Sequence, residues 1–245
     1  MIEGFLEIDG QSLRAREQGN GMPILLTPGG PGCCDYLAPL AELIDDGGRI
    51  IRWEPRGCGE SISPGPYDVE TTLADMDAIR QQYGFDRWIV GGHSHGAFFS
   101  LAYALTYPEH TAGVIYLSGI GVLKDRAWHI EYADARDLHG EQEPYYPFPH
   151  NMDVNRQGNI SKDEWCRDPM LLKRISELDV PFLAIQGGKD IRPGWPAEQM
   201  VNLLPNATLV TLPEAAHTLW LTHADTVRNM ILAFLEGLES EDMDR

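Results

Sequence analysis

The chain has 245 residues, 43% of them hydrophobic, enough to bury one α/β core or a core with an insertion, and only the C-terminal end reads as disordered. Its 19 basic and 37 acidic side chains leave a formal charge of −18, which argues against nucleic acid or an anionic membrane as partner and reads as a solvated acidic surface. Met1-Ile2-Glu3-Gly4-Phe5 lacks the basic and apolar regions of a signal peptide, and no apolar run approaches the roughly 18 residues that span a bilayer, so a soluble, cytoplasmic chain is expected.

Phe5 to Ile8 and Ser12 to Arg16 read as two strands around an Asp9-Gly10 hairpin turn. Pro23-Ile24-Leu25-Leu26-Thr27 is an apolar run of strand length that enters the glycine-dense loop Pro28-Gly29-Gly30-Pro31-Gly32. Helical spacing covers Tyr36 to Leu43, and Arg49 to Trp53 is the next strand. A helix capped by Thr71 or Thr72 runs to Tyr83 and stops at Gly84. Trp88 to Val90 begins another strand, Ala97 to Leu105 is helical and ends before Pro108, and Gly113 to Ser118 is again a strand.

From Gly119 to Glu177 the pattern changes to charges, aromatics and the prolines 144, 147 and 149, with no strong strand. This stretch reads as a mainly helical insertion, residues 119–177, in a core made of residues 1–118 and 178–245. Val180 to Gln186 and Ala207 to Leu212 are the last strands, Trp195 to Leu204 and Leu219 to Leu238 the last helices, and Glu239 to Arg245 a disordered tail. Strands alternating with helices predict a mostly parallel sheet with helices on both faces, and a ligand site beyond the carboxyl ends of its strands.

One stretch stands out at such an end. Gly92-His93-Ser94-His95-Gly96 follows a strand and precedes a helix, the context of a nucleophile elbow. At its apex Ser94 is expected to adopt positive φ, with glycine at 92 and 96 because a Cβ would collide with the crossing strand or helix. A serine hydroxyl needs a base, and the base needs an orienting acid. His217, in the loop after strand 207–212, is placed as base; His223 falls in the closing helix, and His110, His129, His139 and His150 in a helix end or the insertion. Asp190, in Gly187-Gly188-Lys189-Asp190, is placed as acid, because Ser118-Gly119-Ile120-Gly121 offers no carboxylate. The oxyanion donors are the N–H of His95 and that of Gly30, since the prolines of its loop have none to give.

With these residues in hand, the chain resembles the α/β-hydrolase superfamily over nearly its whole length, and within it the proline iminopeptidases. The resemblance rests on Pro28-Gly29-Gly30-Pro31-Gly32, on Glu54-Pro55-Arg56-Gly57-Cys58-Gly59-Glu60-Ser61, and on the elbow with the helix Leu101 to Glu109 after it. It implies an α/β-hydrolase fold with a short helical cap and an acyl-enzyme mechanism using Ser94, Asp190 and His217. It also implies an aminopeptidase acting on small peptides or amides; hydrolysis of esters, lactones or carbon–carbon bonds beside a ketone, or slow-turnover ligand binding, are the alternatives. The family binds the substrate's free amine with cap glutamates, so Glu131, Glu141, Glu143 and Glu164 are the candidate anchors here. Pro28 stands where the family has His, Glu54 where it has Asp, and His95 where tryptophan is common. No metal or organic cofactor is implied. Cys33, Cys34, Cys58 and Cys166 lack zinc spacing, and the first three lie in loops beside the site, where thiol reagents are expected to block the pocket.

Overall fold

Eight strands form one sheet at the centre of the computed structural model, which describes residues 2–141 and 146–243. They are β1 (Ile2–Ile8), β2 (Gln11–Gly19), β3 (Met22–Thr27), β4 (Gly48–Trp53), β5 (Trp88–His93), β6 (Thr111–Leu117), β7 (Phe182–Gly187) and β8 (Ala207–Leu212). Their spatial order is β1-β2-β4-β3-β5-β6-β7-β8. β1 and β2 pair antiparallel through Asp9-Gly10, both at positive φ as a tight hairpin turn requires. β2 also lies antiparallel to β4, and every later pairing is parallel, as the alternation of strands and helices predicts.

The parallel strands are apolar on both faces because helices cover both. Leu25 and Val90 point into the layer built by α2 (Val69–Tyr83), α3 (His95–Thr106) and α7 (Trp195–Val201). Their neighbours Ile24, Leu26 and Ile89 point into the layer built by α1 (Ala38–Ile44) and α8 (Ala224–Met243), the period-2 alternation of a strand. Between β6 and β7 the chain makes α4 (Arg126–His139), α5 (Met152–Trp165) and α6 (Leu171–Ser176). Among the described residues, no helix is long and apolar enough to cross a membrane.

Several boundaries differ from the sequence reading. The cap of α2 is Asp68, whose Oδ1 accepts the Thr71 N–H at 2.7 Å, so a carboxylate rather than a threonine meets the positive helix end. α1 starts at Ala38, so Tyr36 precedes the helix and turns toward the site. His223 precedes α8 instead of lying within a helix, because Leu219–Leu221 forms a separate 3-10 turn. The expected disorder from Glu239 is replaced by helix through Met243: Val227, Ile231, Leu235 and Leu238 anchor α8 on the core, and no glycine or proline follows to stop it. Asp244 and Arg245 lie outside the described residues.

Candidate active site

Ser94 follows β5 as the N-cap residue of α3 with φ 58° and ψ −113°, the strained conformation expected at an elbow. The two glycines around it are sterically obligatory. A Cβ on Gly92 would stand 2.2 Å from the Gly96 carbonyl, and one on Gly96 would stand 2.0 Å from the carbonyl oxygen of Thr27 on β3. Close strand–helix approach therefore dictates the motif. It also sets the His95 N–H in the first turn of α3, where orphan N–H groups face incoming negative charge.

Asp190 lies in the loop after β7 and His217 in the loop after β8, and the fold brings them together. Asp190 Oδ2 and His217 Nδ1 are 2.5 Å apart, with both side chains 4% exposed. A carboxylate can only accept, so the proton sits on Nδ1 and leaves Nε2 as a basic lone pair. Asp190 is itself held by the Arg192 N–H at 3.0 Å and by the Arg192 guanidinium at 3.5 Å. Ser94, His95, His217 and Gly30 all open on one cavity of about 390 Å³ beyond the carboxyl ends of the strands. His223 instead bonds its own neighbour Thr222 at the surface, and His139 is exposed.

A buried chain of hydrogen bonds behind this site escaped the sequence reading. The Gly29 N–H donates to Tyr36 Oη at 2.8 Å, and Tyr36 and His93 Nδ1 are 2.6 Å apart. His93 Nε2 lies 2.9 Å from the carbonyl oxygen of His217, which also accepts from Ser118 Oγ at 2.7 Å. Because that carbonyl can only accept, His93 carries its proton on Nε2 and accepts from Tyr36 through Nδ1. Burial pushes the His93 imidazole well below its ordinary range, consistent with a neutral ring. The network thus links the glycine loop to the loop that carries His217. The only signal available beforehand was the position of His93 next to Ser94.

In the glycine loop, the Gly29 N–H is taken by Tyr36, whereas Gly30, at φ 123°, lines the cavity. α5 closes over this loop: the Asn151 N–H donates to the Gly32 carbonyl at 2.9 Å and Asn155 Nδ2 to the Pro31 carbonyl at 2.9 Å. Asn151 Nδ2 also reaches the Gly57 carbonyl at 2.9 Å, tying the 54–61 loop to the same helix. Within that loop Arg56 grips Asp75 through two bonds of 2.7 Å. Glu54, buried, accepts the N–H groups of Glu60 at 2.6 Å and Asp35 at 3.3 Å, so its longer side chain still organises the turn.

The candidate amine anchors do not meet in the cavity. Glu131 is exposed on α4, and Glu164 faces a separate surface depression with Arg167 and Arg174. Glu141 is engaged by Tyr132 Oη at 2.9 Å and Arg192 Nη2 at 3.2 Å. Glu143 lies outside the described residues. The cavity wall instead includes His129, His150, Lys124 and Arg192. Helical phase explains the difference, since α4 turns Trp128, His129 and Tyr132 inward and Glu131 outward.

Of the cysteines, Cys33 lines the cavity with Sγ 3.0 Å from His150 Nε2, and Cys58 lines an adjoining depression. Burial pushes the thiols of Cys34, Cys58 and Cys166 up and makes them poor nucleophiles. Among the described residues, no group of three or more His, Cys, Asp or Glu side chains is arranged to hold a metal.

Comparison with known proteins places this geometry. A proline iminopeptidase of Saccharolobus solfataricus is 33% identical over 126 residues, which cover 48% of this chain and 41% of the relative, so the match spans less than half of that protein. Among solved structures, a thermophilic esterase from Thermogutta terrifontis superposes with a TM-score of 0.77 at 20% identity, covering 97% of this chain and 99% of that one. A proline iminopeptidase from Mycobacterium smegmatis superposes with a TM-score of 0.76 at 17% identity, covering 98% of this chain and 100% of that one. Residues 22–147 match the family described as alpha/beta hydrolase fold, and the chain belongs to that family.

Proposed function

We propose that this protein is a serine hydrolase working through an acyl-enzyme on small carbonyl substrates of the ester or lactone type. The observation that carries the reading is His217, paired with Asp190, opening with Ser94 on one cavity. Ser94 Oγ attacks the carbonyl carbon and passes its proton to His217 Nε2. Asp190 keeps the imidazole in the required tautomer and stabilises the imidazolium. The N–H groups of Gly30 and His95 receive the oxyanion, and His217 then protonates the leaving group. A water activated by the same imidazole releases the acid.

A second reading, removal of N-terminal proline from small peptides, draws on the stretch shared with the Saccharolobus proline iminopeptidase. Glu131 and Glu164 lie away from the cavity and Glu141 is taken up by Tyr132 and Arg192, which favours the ester reading over it. The experiment is a panel of proline and alanine arylamides beside short-chain aryl esters, with a fluorophosphonate probe for Ser94. Ester turnover with probe labelling at Ser94 is the expected result. Preferential turnover of proline amides would establish the peptidase, and no labelling of Ser94 would remove the hydrolase.

A further inference from the structure

Two of this chain's four lysines are surface residues with carboxylate partners, Lys173 with Glu177 and Lys189 with Glu214. The other two, Lys124 and Lys162, make no ion pair or hydrogen bond among the described residues, in a chain with 37 acidic side chains. Lys124 stands in the cavity wall with Nζ 4.9 Å from the centre of the Trp128 ring. Lys162 is 2% exposed, and its Nζ lies 5.1 Å from the centre of the Phe98 ring. On α5, Asn155, Asn159 and Lys162 share one face at i, i+4 and i+7, and the two asparagines line the cavity.

His95 belongs to the same group. Its ring packs against Phe98 and Phe99, and Nε2 is buried with no hydrogen-bond partner among the described residues. Both ammonium groups act on this imidazole, and burial with their charge pushes it well below its ordinary range. Three nitrogen groups on separate elements (the loop after β6, the start of α3, and α5) thus converge without an acceptor. Asp163 and Cys166 are felt by both lysines but pair with neither. A buried ammonium beside a like charge, with no paired counter-charge, is unfavourable unless a ligand supplies one.

We propose that Lys124, Lys162 and the Nε2 edge of His95 form an anion subsite beside Ser94, and that the substrate carries a carboxylate or phosphate group in addition to its reacting carbonyl. The cleavage half of this statement rests on the hydrolase reading; anion binding does not. The chain's net charge of −18 disfavours such a ligand elsewhere, so the subsite also selects where it docks.

The test uses the Ser94→Ala protein, titrated calorimetrically with glutarate, inorganic phosphate and the neutral isostere glutaramide. One of the two anions is expected to bind at least tenfold more tightly than glutaramide, and which one does so separates a carboxylate from a phosphate ligand. Lys124→Met is expected to weaken that binding about tenfold, Lys124→Arg to retain it, and Lys162→Met to weaken it in the same direction. Anion binding no tighter than glutaramide, or indifferent to Lys124→Met, overturns the proposal. If Lys162→Met does not fold, the partly exposed Lys124 decides alone. With Ser94 intact, kcat/KM for mono-p-nitrophenyl glutarate over p-nitrophenyl butyrate is expected to favour the anion, and Lys124→Met to lower that ratio at least tenfold. Absence of turnover and of fluorophosphonate labelling, with anion binding preserved, would remove the hydrolase reading and leave the subsite standing.

Discussion

His93 reaches from the end of β5 to the carbonyl oxygen of His217, with Nε2 2.9 Å away. The residue before Ser94 therefore holds the loop that carries His217, and through Tyr36 it also holds Gly29 of the glycine loop. His93→Phe keeps ring volume but deletes both bonds. It is expected to lower kcat about 100-fold through misplacement of His217 and stability by about 1–3 kcal/mol through the two buried hydrogen bonds lost. Kinetics and thermal melts check this. A loss of stability with unchanged kcat would mean that the network is structural only.

Asp190→Asn preserves the contact geometry but allows the imidazole to hold its proton on the wrong nitrogen. A fall in kcat of roughly 10³–10⁴-fold is expected, with the melting temperature little changed. Ser94→Ala should remove turnover and fluorophosphonate labelling together. An Asp190→Asn variant within tenfold of the parent would assign the acid elsewhere.

Gly96→Ala tests the elbow sterically. Its Cβ would fall 2.0 Å from the Thr27 carbonyl oxygen and 2.6 Å from that of Pro28, both backbone atoms that cannot rotate away. A loss of about 3 kcal/mol or more, or failure to fold, is expected. Gly140→Ala is a control for added bulk, since nothing lies within 4 Å of its Cβ, although positive φ there adds some strain. A Gly96→Ala melt no lower than that of the control would contradict the close approach of β3 and α3.

Lys162 carries a stability cost whose sign follows from its titration. Burial first, then the neighbouring Lys124 charge, lowers the ammonium from 10.5 to about 8. The unfolded chain thus holds this proton more tightly than the folded one. The resulting deficit, roughly 3 kcal/mol, is fully present below about pH 8 and is relieved as pH rises toward 10.5. Lys162→Met is expected to melt higher than the parent at pH 7, with the gap narrowing between pH 8 and 10. Equal melting temperatures throughout would show that the amine is solvated.

Cys33 is the thiol placed to report on the cavity, because it lines that cavity with its Sγ 3.0 Å from His150 Nε2. Alkylation with N-ethylmaleimide is expected to block turnover of an aryl ester. Cys33→Ser should make the enzyme resistant. Inhibition that persists in Cys33→Ser would move the reactive thiol elsewhere.

The order of strands and helices was legible in the linear chain because apolar runs, glycines and prolines are local signals. The same locality exposed Ser94 between Gly92 and Gly96, and it placed Asp190 and His217 in loops that a parallel sheet must gather at one end. It could not foresee which face of α4 points inward, so Glu131 read as a candidate while Trp128, His129 and Tyr132 line the cavity. Nor could it place Lys162, 38 residues from Lys124 and 67 from His95 in the chain. Contacts across such separations depend on how α5 lies over the oxyanion loop, which side-chain packing and the asparagine bonds to Pro31 and Gly32 decide. Local chemistry singled out Ser94, Asp190 and His217; only the packing of α4 and α5 on the sheet determined what charge lines the cavity.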